Sequence, residues 1–151
     1  MKQYLLREAQ VRLCLKEGAA LYSAVPLSNP ESAVDVIKDL LKDLDREMIL
    51  VVNLDIKNRP INYNIVSIGG IGATVCTVAN LYKSAILSNS ARIIMFHNHP
   101  SGELTPSKED TAITKRVYDS GALLGIPLID HIIVAGENTY SFFQECPDLF
   151  S

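Results

Sequence analysis

The sequence has no surplus of positive charge. Its 14 Lys and Arg stand against 17 Asp and Glu for a net charge of −3, so composition gives no general electrostatic basis for binding nucleic acid directly. Cysteine is scarce: Cys14, Cys76 and Cys146 lie far apart and form no Cys-x-x-Cys pair. An odd, scattered set fits buried or free thiols in a reducing compartment better than a disulfide framework. No apolar run approaches the roughly 20 residues of a membrane-spanning helix. The start at Met1 lacks the charged, apolar and small-residue regions of a secretory signal. The expected setting is the cytoplasm, with no membrane contact.

What is present reads as an ordinary globular chain. Hydrophobic residues make up 48% and charged residues 21% of 151 positions, a length that fits one domain burying roughly two-thirds of its unfolded surface. Residues 1–28 are expected to be an N-terminal extension, in which VRLCL (11–15) alternates as a half-buried strand would, before a break at 16–18. Residues 29–151 are expected to form the globular domain. Asn29-Pro30 is an N-cap followed by proline at the first helical position. Ala33, Val34, Ile37, Leu40, Leu41 and Leu44 then make a helical apolar stripe, with Asp35, Lys38, Asp39, Lys42 and Asp43 on the solvated face.

MILVVNLD (48–55) reads as a strand buried on both faces, with a turn at 57–60 and a second strand over 61–68. Gly69-Gly70-Ile71-Gly72 precedes a helix over about 77–87. That turn lacks the acid of a dinucleotide fold and the Gly-Lys-Ser/Thr of a P-loop, so close packing explains it better than a phosphate cradle. A strand over 91–96 follows, then a helix ending near Gly121, a buried strand LIDHIIVA (128–135), a hairpin at 136–138 and a last strand over 139–143. Asp130 and His131 are adjacent, and adjacent strand residues face opposite ways. His131 is expected to be a hydrogen-bonded, mainly structural histidine.

The chemistry concentrates in residues 93–110, IIMFHNHPSGELTPSKED, which carry two of the three histidines. His97 and His99 share one face of an extended strand, with Cα atoms roughly 6.5 Å apart. Two imidazoles at that spacing can converge on one metal ion, and Asp110 can supply a third ligand if the loop folds back. A His, His, Asp set would leave a tetrahedral zinc ion one open position, the mark of a catalytic site. Plainer explanations exist for each part. A His-x-His at a strand end is commonly a turn or surface pair, and Ser107 with Asp110 is a capping box for the next helix.

The pattern His-x-His-Pro, six residues, Ser, two residues, Asp resembles the JAMM motif of the JAB/MPN metallohydrolases. The longer run from HNHPSG through TPSKEDTAITKRV to LLGIPLIDHIIV resembles the RadC-like branch of that family, over about residues 30–145. The resemblance implies an α/β (mixed α+β) fold of MPN/JAB type, a mixed β-sheet flanked by helices and similar to the cytidine-deaminase-like fold. It implies one Zn2+ per chain on His97, His99 and Asp110, with Ser107 helping to bind a substrate carbonyl oxygen. It also implies that Glu47, ahead of the first strand, is the catalytic glutamate. By position alone Asp45 and Glu103 are rivals, Glu103 lying inside the motif loop.

The implied activity is JAMM-type hydrolysis of a peptide or isopeptide bond through a zinc-activated water. Relatives commonly carry an N-terminal helical module resembling a helix-hairpin-helix; residues 1–28 leave no room for one, so its DNA affinity is not expected here. A DNA-repair-associated or nucleic-acid-processing accessory is the first alternative, and a non-catalytic MPN scaffold the second. A nucleobase deaminase would need His-x-Glu with Pro-Cys-x-x-Cys, and the chain has neither. No long insertion suggests a ubiquitin-like partner.

Overall fold

The computed structural model describes residues 8–16, 26–27, 29–69 and 76–151. Its elements are α1 (Pro30–Leu41), β1 (Met48–Leu54), β2 (Pro60–Ile68), α2 (Val78–Leu87), β3 (Arg92–Asn98), α3 (Lys108–Leu124), β4 (Leu128–Ala135), β5 (Asn138–Ser141) and α4 (Phe142–Glu145), closed by a 3-10 turn, Pro147–Phe150. Five strands form one sheet in the order β2-β1-β3-β4-β5. β3 and β4 are parallel, and the other neighbouring pairs are antiparallel. A parallel pair needs a long crossover, and α3 is that crossover.

Strand alternation divides the core in two. Leu50, Val52 and Leu54 of β1, Ile94 and Phe96 of β3, and Ile132 and Val134 of β4 pack with α1 through Ala33, Val34, Ile37 and Leu41. Ile49 and Val51, Ile93 and Met95, and Leu128 face the other way, onto Leu81, Tyr82 and Ala85 of α2 and Ile113 and Val117 of α3. Helices therefore cover both faces, which explains why β1, β3 and β4 read as nearly continuous apolar runs. Each fully buried aliphatic side chain contributes roughly 1.5–3 kcal/mol. This is the mixed α/β class expected from the sequence.

Local rules set most boundaries. The Asn29 side chain accepts the Ser32 N–H at 2.8 Å, with Pro30 opening α1. The helix stops at Leu41, and Leu44 still packs against the core from the following turn.

Four expectations differ from the structure or fall outside it. Residues 11–15 form no strand: Val11 and Leu15 are 72% and 68% exposed, and alternation builds a strand only where an edge pairs with it. The last strand stops at Ser141 rather than continuing to 143, because the Ser141 hydroxyl accepts the Gln144 N–H and turns the chain into α4. The helix after Asp110 runs past Gly121 to Leu124, and the left-handed residue that ends it is Gly125 (φ 70°). Gly121 sits inside the helix because a Cβ there would collide with the Tyr82 hydroxyl and lie 2.7 Å from the Ile126 carbonyl. Of the glycine-rich turn, only Gly69 lies among the described residues; Gly70 to Gly72 lie outside them, as do positions 17 and 18. No helix among the described residues is long and apolar enough to cross a membrane.

Candidate metal centre

The site lies where the parallel strand β3 ends and its crossover helix begins. Ile93, Met95 and His97 share the β3 face turned toward α2 and α3, which puts a fully buried imidazole beneath the first turn of α3. His99 follows two residues on, held in line by its N–H bond to the Val134 carbonyl at 2.8 Å. The chain then turns through Gly102, whose φ of 81° is the left-handed region glycine tolerates. That turn brings the Glu103 carbonyl to 2.6 Å from His99 Nδ1. A carbonyl only accepts, so His99 Nδ1 carries the proton and its Nε2 presents a lone pair.

Ser107 and Asp110 then form a reciprocal cap on α3. Ser107 Oγ accepts the Asp110 N–H at 3.0 Å, and Asp110 Oδ2 accepts the Ser107 N–H at 2.7 Å. The capping explanation is therefore correct, and it also aims the carboxylate. Asp110 Oδ1 stands 3.2 Å from His97 Nε2, and Oδ2 stands 3.4 Å from His99 Nε2. The two histidine Nε2 atoms face each other at 2.8 Å. Burial works against ionised Asp110, but its contacts with His97 and Ser107 outweigh it and hold the carboxyl well below the usual range.

These contacts form a triangle of donors, with all ligand atoms within 4.8 Å of one another. A tetrahedral ion with arms of 2.0–2.1 Å has ligand-to-ligand edges of about 3.3 Å, close to the sides of this triangle. Imidazole lone pairs directed at each other beside a carboxylate repel unless a cation lies between them. The donor set fits a metal ion, and His, His, Asp suits zinc.

Around the triangle, Asp110 and His97 connect through two further buried side chains. Thr114, one turn along α3, donates its hydroxyl proton to the Asp110 carbonyl at 2.6 Å. Its oxygen is also 2.6 Å from His131 Nδ1, and His131 Nε2 is 2.7 Å from His97 Nδ1. Burial and the neighbouring His97 hold His131 well below the ordinary histidine range. His131 is thus hydrogen-bonded, as expected from sequence, and one of its partners is His97. Asp130 faces away and accepts from Ser141 Oγ and from the His131 and Phe143 N–H groups.

Glu47 enters through register. β1 and β3 pair Ile49 with His97, and Glu47 lies two residues before Ile49, just ahead of β1. Asn98 braces this position, accepting the Met48 N–H at 2.7 Å and donating to the Arg46 carbonyl at 3.0 Å. Glu47 is half-buried, and its carboxylate has no hydrogen bond or ion pair with the described residues. The rivals are placed otherwise: Asp45 is exposed and paired with Arg46 at 2.8 Å, and Glu103 is exposed, with its backbone carbonyl turned to His99. Sequence reasoning missed Asn98 and Thr114. Thr114 had a legible signal, since it lies four residues after Asp110 on the same helical face.

Fold and site together define a mixed α/β domain with a metal-competent His-His-Asp group at the carboxyl end of a parallel strand. A RadC-like JAB domain signature spans residues 27–147, and the chain belongs to that family. It is 35% identical over 144 residues to a UPF0758 protein of Desulfitobacterium hafniense, covering 92% of this chain and 63% of the relative. A UPF0758 protein of Shouchella clausii is 40% identical over 119 residues, covering 79% and 51%. One from Methanosarcina mazei is 36% identical over 114 residues, covering 76% and 49%. The chain therefore spans between about half and three-fifths of the length of these curated relatives.

Proposed function

We propose that this chain is a zinc-dependent hydrolase of JAMM type that cleaves a peptide or isopeptide bond. The observation carrying the proposal is the convergence of His97 Nε2, His99 Nε2 and the Asp110 carboxylate into one donor triangle. His97, His99 and Asp110 would hold one zinc ion, which when bound would acidify a water toward pKa ~7 and polarise the scissile carbonyl.

The chain's own residues supply the remaining steps. Glu47, just ahead of β1 and with no carboxylate partner among the described residues, accepts a proton from the attacking water as general base. The carbonyl carbon gains the water oxygen, the C–N bond breaks, and Glu47 returns the proton to the departing nitrogen. Ser107 Oγ uses its lone pair on the Asp110 N–H, which leaves the hydroxyl proton free to stabilise the carbonyl oxygen as negative charge develops. The products are a carboxylate and an amine. The substrate is expected to be polypeptide rather than nucleic acid, since one metal and a net charge of −3 make a poor phosphoryl site.

The deciding experiment measures metal content in the purified protein and in His97→Ala and Asp110→Ala, followed by a peptide-hydrolysis screen. About one zinc per chain, lost in both variants, with zinc-dependent cleavage in the wild type, is the expected result. Failure of the wild type to take up zinc when it is offered would overturn the proposal.

A further inference from the structure

His97 can serve as a ligand through Nε2 only if its single neutral-state proton sits on Nδ1, and the structure contains a chain of hydrogen bonds able to dictate that. The chain has one direction. It ends at the Asp110 carbonyl, which cannot donate. The Thr114 hydroxyl has one proton and spends it on that carbonyl at 2.6 Å, so toward His131 Nδ1, also at 2.6 Å, it can only accept. His131 must then carry its proton on Nδ1 and present a lone pair at Nε2. That lone pair, 2.7 Å from His97 Nδ1, accepts the His97 proton. His97 Nε2 is left bare and turned toward His99 and Asp110.

The packing blocks the alternatives. His131 and Thr114 are fully buried, so no solvent can substitute for either partner. The His131 ring stacks on Phe142, with centroids 4.8 Å apart and planes within 10°, which holds the ring in the plane the two bonds require.

We infer that Thr114 and His131 are positioning residues that set the tautomer of His97, so that the Asp110 backbone and the His97 ring form one coupled unit around the donor triangle. This rests on the metal-site reading above. It goes beyond it by assigning a role to two residues that would not touch metal or substrate. Outer partners of this kind typically change metal affinity by about 10–100-fold.

The test uses the whole chain and two readouts that need no turnover. Nitrogen-15 NMR of the metal-free protein reports which ring nitrogen of each histidine is protonated. Competition with a chromophoric chelator reports zinc affinity. In the wild type, His97 and His131 are both expected to be protonated on Nδ1. Thr114→Val, close in shape but without the hydroxyl, is expected to release the His131 tautomer and weaken zinc binding by about 10–100-fold. Thr114→Ser is expected to restore both signals. An Nε2-protonated His131 in the wild type would overturn the inference, as would a folded Thr114→Val with wild-type zinc affinity. Should Thr114→Val not fold, the wild-type spectrum and the Thr114→Ser affinity decide. Wild-type protein that binds zinc and shows these tautomers, yet cleaves no peptide, would count against the hydrolase reading alone.

Discussion

Asn98 holds the backbone on both sides of Glu47. It sits between the two candidate ligand histidines, and its amide bridges the Arg46 carbonyl and the Met48 N–H across fifty positions of sequence. One side chain thereby ties the strand bearing His97 to the segment carrying the proposed base.

Asn98→Ala is expected to bind zinc normally, because no ligand is touched, and to lose turnover by about 100-fold through misplacement of Glu47. Two lost hydrogen bonds should cost about 1–3 kcal/mol of stability. Metal analysis, peptide hydrolysis and urea unfolding on the same preparation separate these effects. Wild-type turnover in Asn98→Ala would show that the bridge does not matter to the reaction.

Glu47→Gln is expected to keep one zinc per chain and reduce turnover by about 10²–10⁴-fold. Glu103→Gln should stay close to wild type, since the loop uses the backbone carbonyl of Glu103 and leaves its carboxylate exposed. A dead Glu103→Gln beside an active Glu47→Gln would move the base to the motif loop.

Ser107 combines a cap with a proposed substrate contact, and two substitutions separate them. Ser107→Ala should cost about 1 kcal/mol as a lost N-cap, whereas Ser107→Gly should cost only a few tenths. Both remove the hydroxyl, so both should lower turnover, by about 10²–10³-fold if it acts as an oxyanion donor. Thermal unfolding with kinetics tests this, and a fully active Ser107→Gly would leave Ser107 as a cap only.

Asp130 gives a pH dependence unconnected to metal. Burial raises its pKa from 3.8 to about 6, against hydrogen bonds from Ser141, Phe143 and His131 that favour the ionised form. Between those values the folded state holds a proton that the unfolded state releases. Its contribution is therefore complete below about pH 4 and is lost as pH rises through about 6, a change of about 3 kcal/mol. Asp130→Asn can still accept from both N–H groups and donate to Ser141. It should gain stability over wild type at neutral pH and match it near pH ~4. Urea midpoints across this range measure the difference, and a gap that widens as pH falls would contradict it.

Gly121→Ala is expected to destabilise by about 1–3 kcal/mol, despite the better helix propensity of alanine. The added carbon would meet the Tyr82 hydroxyl and the Ile126 carbonyl. A rise in melting temperature would show that α2 and α3 can separate at little cost.

Much of this was legible in sequence wherever a rule acts over a few residues. Asn29-Pro30 began α1, and LIDHIIVA matched β4 residue for residue. His97 and His99 fell on one strand face, and Ser107 with Asp110 closed a capping box. Alternation and capping are local, so the chain declares them. Other features depend on distant partners. VRLCL alternates, but no edge receives it, and Gly121 looked like a helix end because its crowding comes from α2 and the start of β4.

Sequence by itself determined which residues could be ligands and that His97 and His99 must lie together at the mouth of an apolar strand. Only the tertiary structure decided that the loop returns Asp110 to them, that Asn98 braces the backbone on both sides of Glu47, and that His131 bonds to His97. Each of these depends on strand register and on one helix crossing over the sheet. Register is decided by which apolar faces are buried together, across the whole sheet at once.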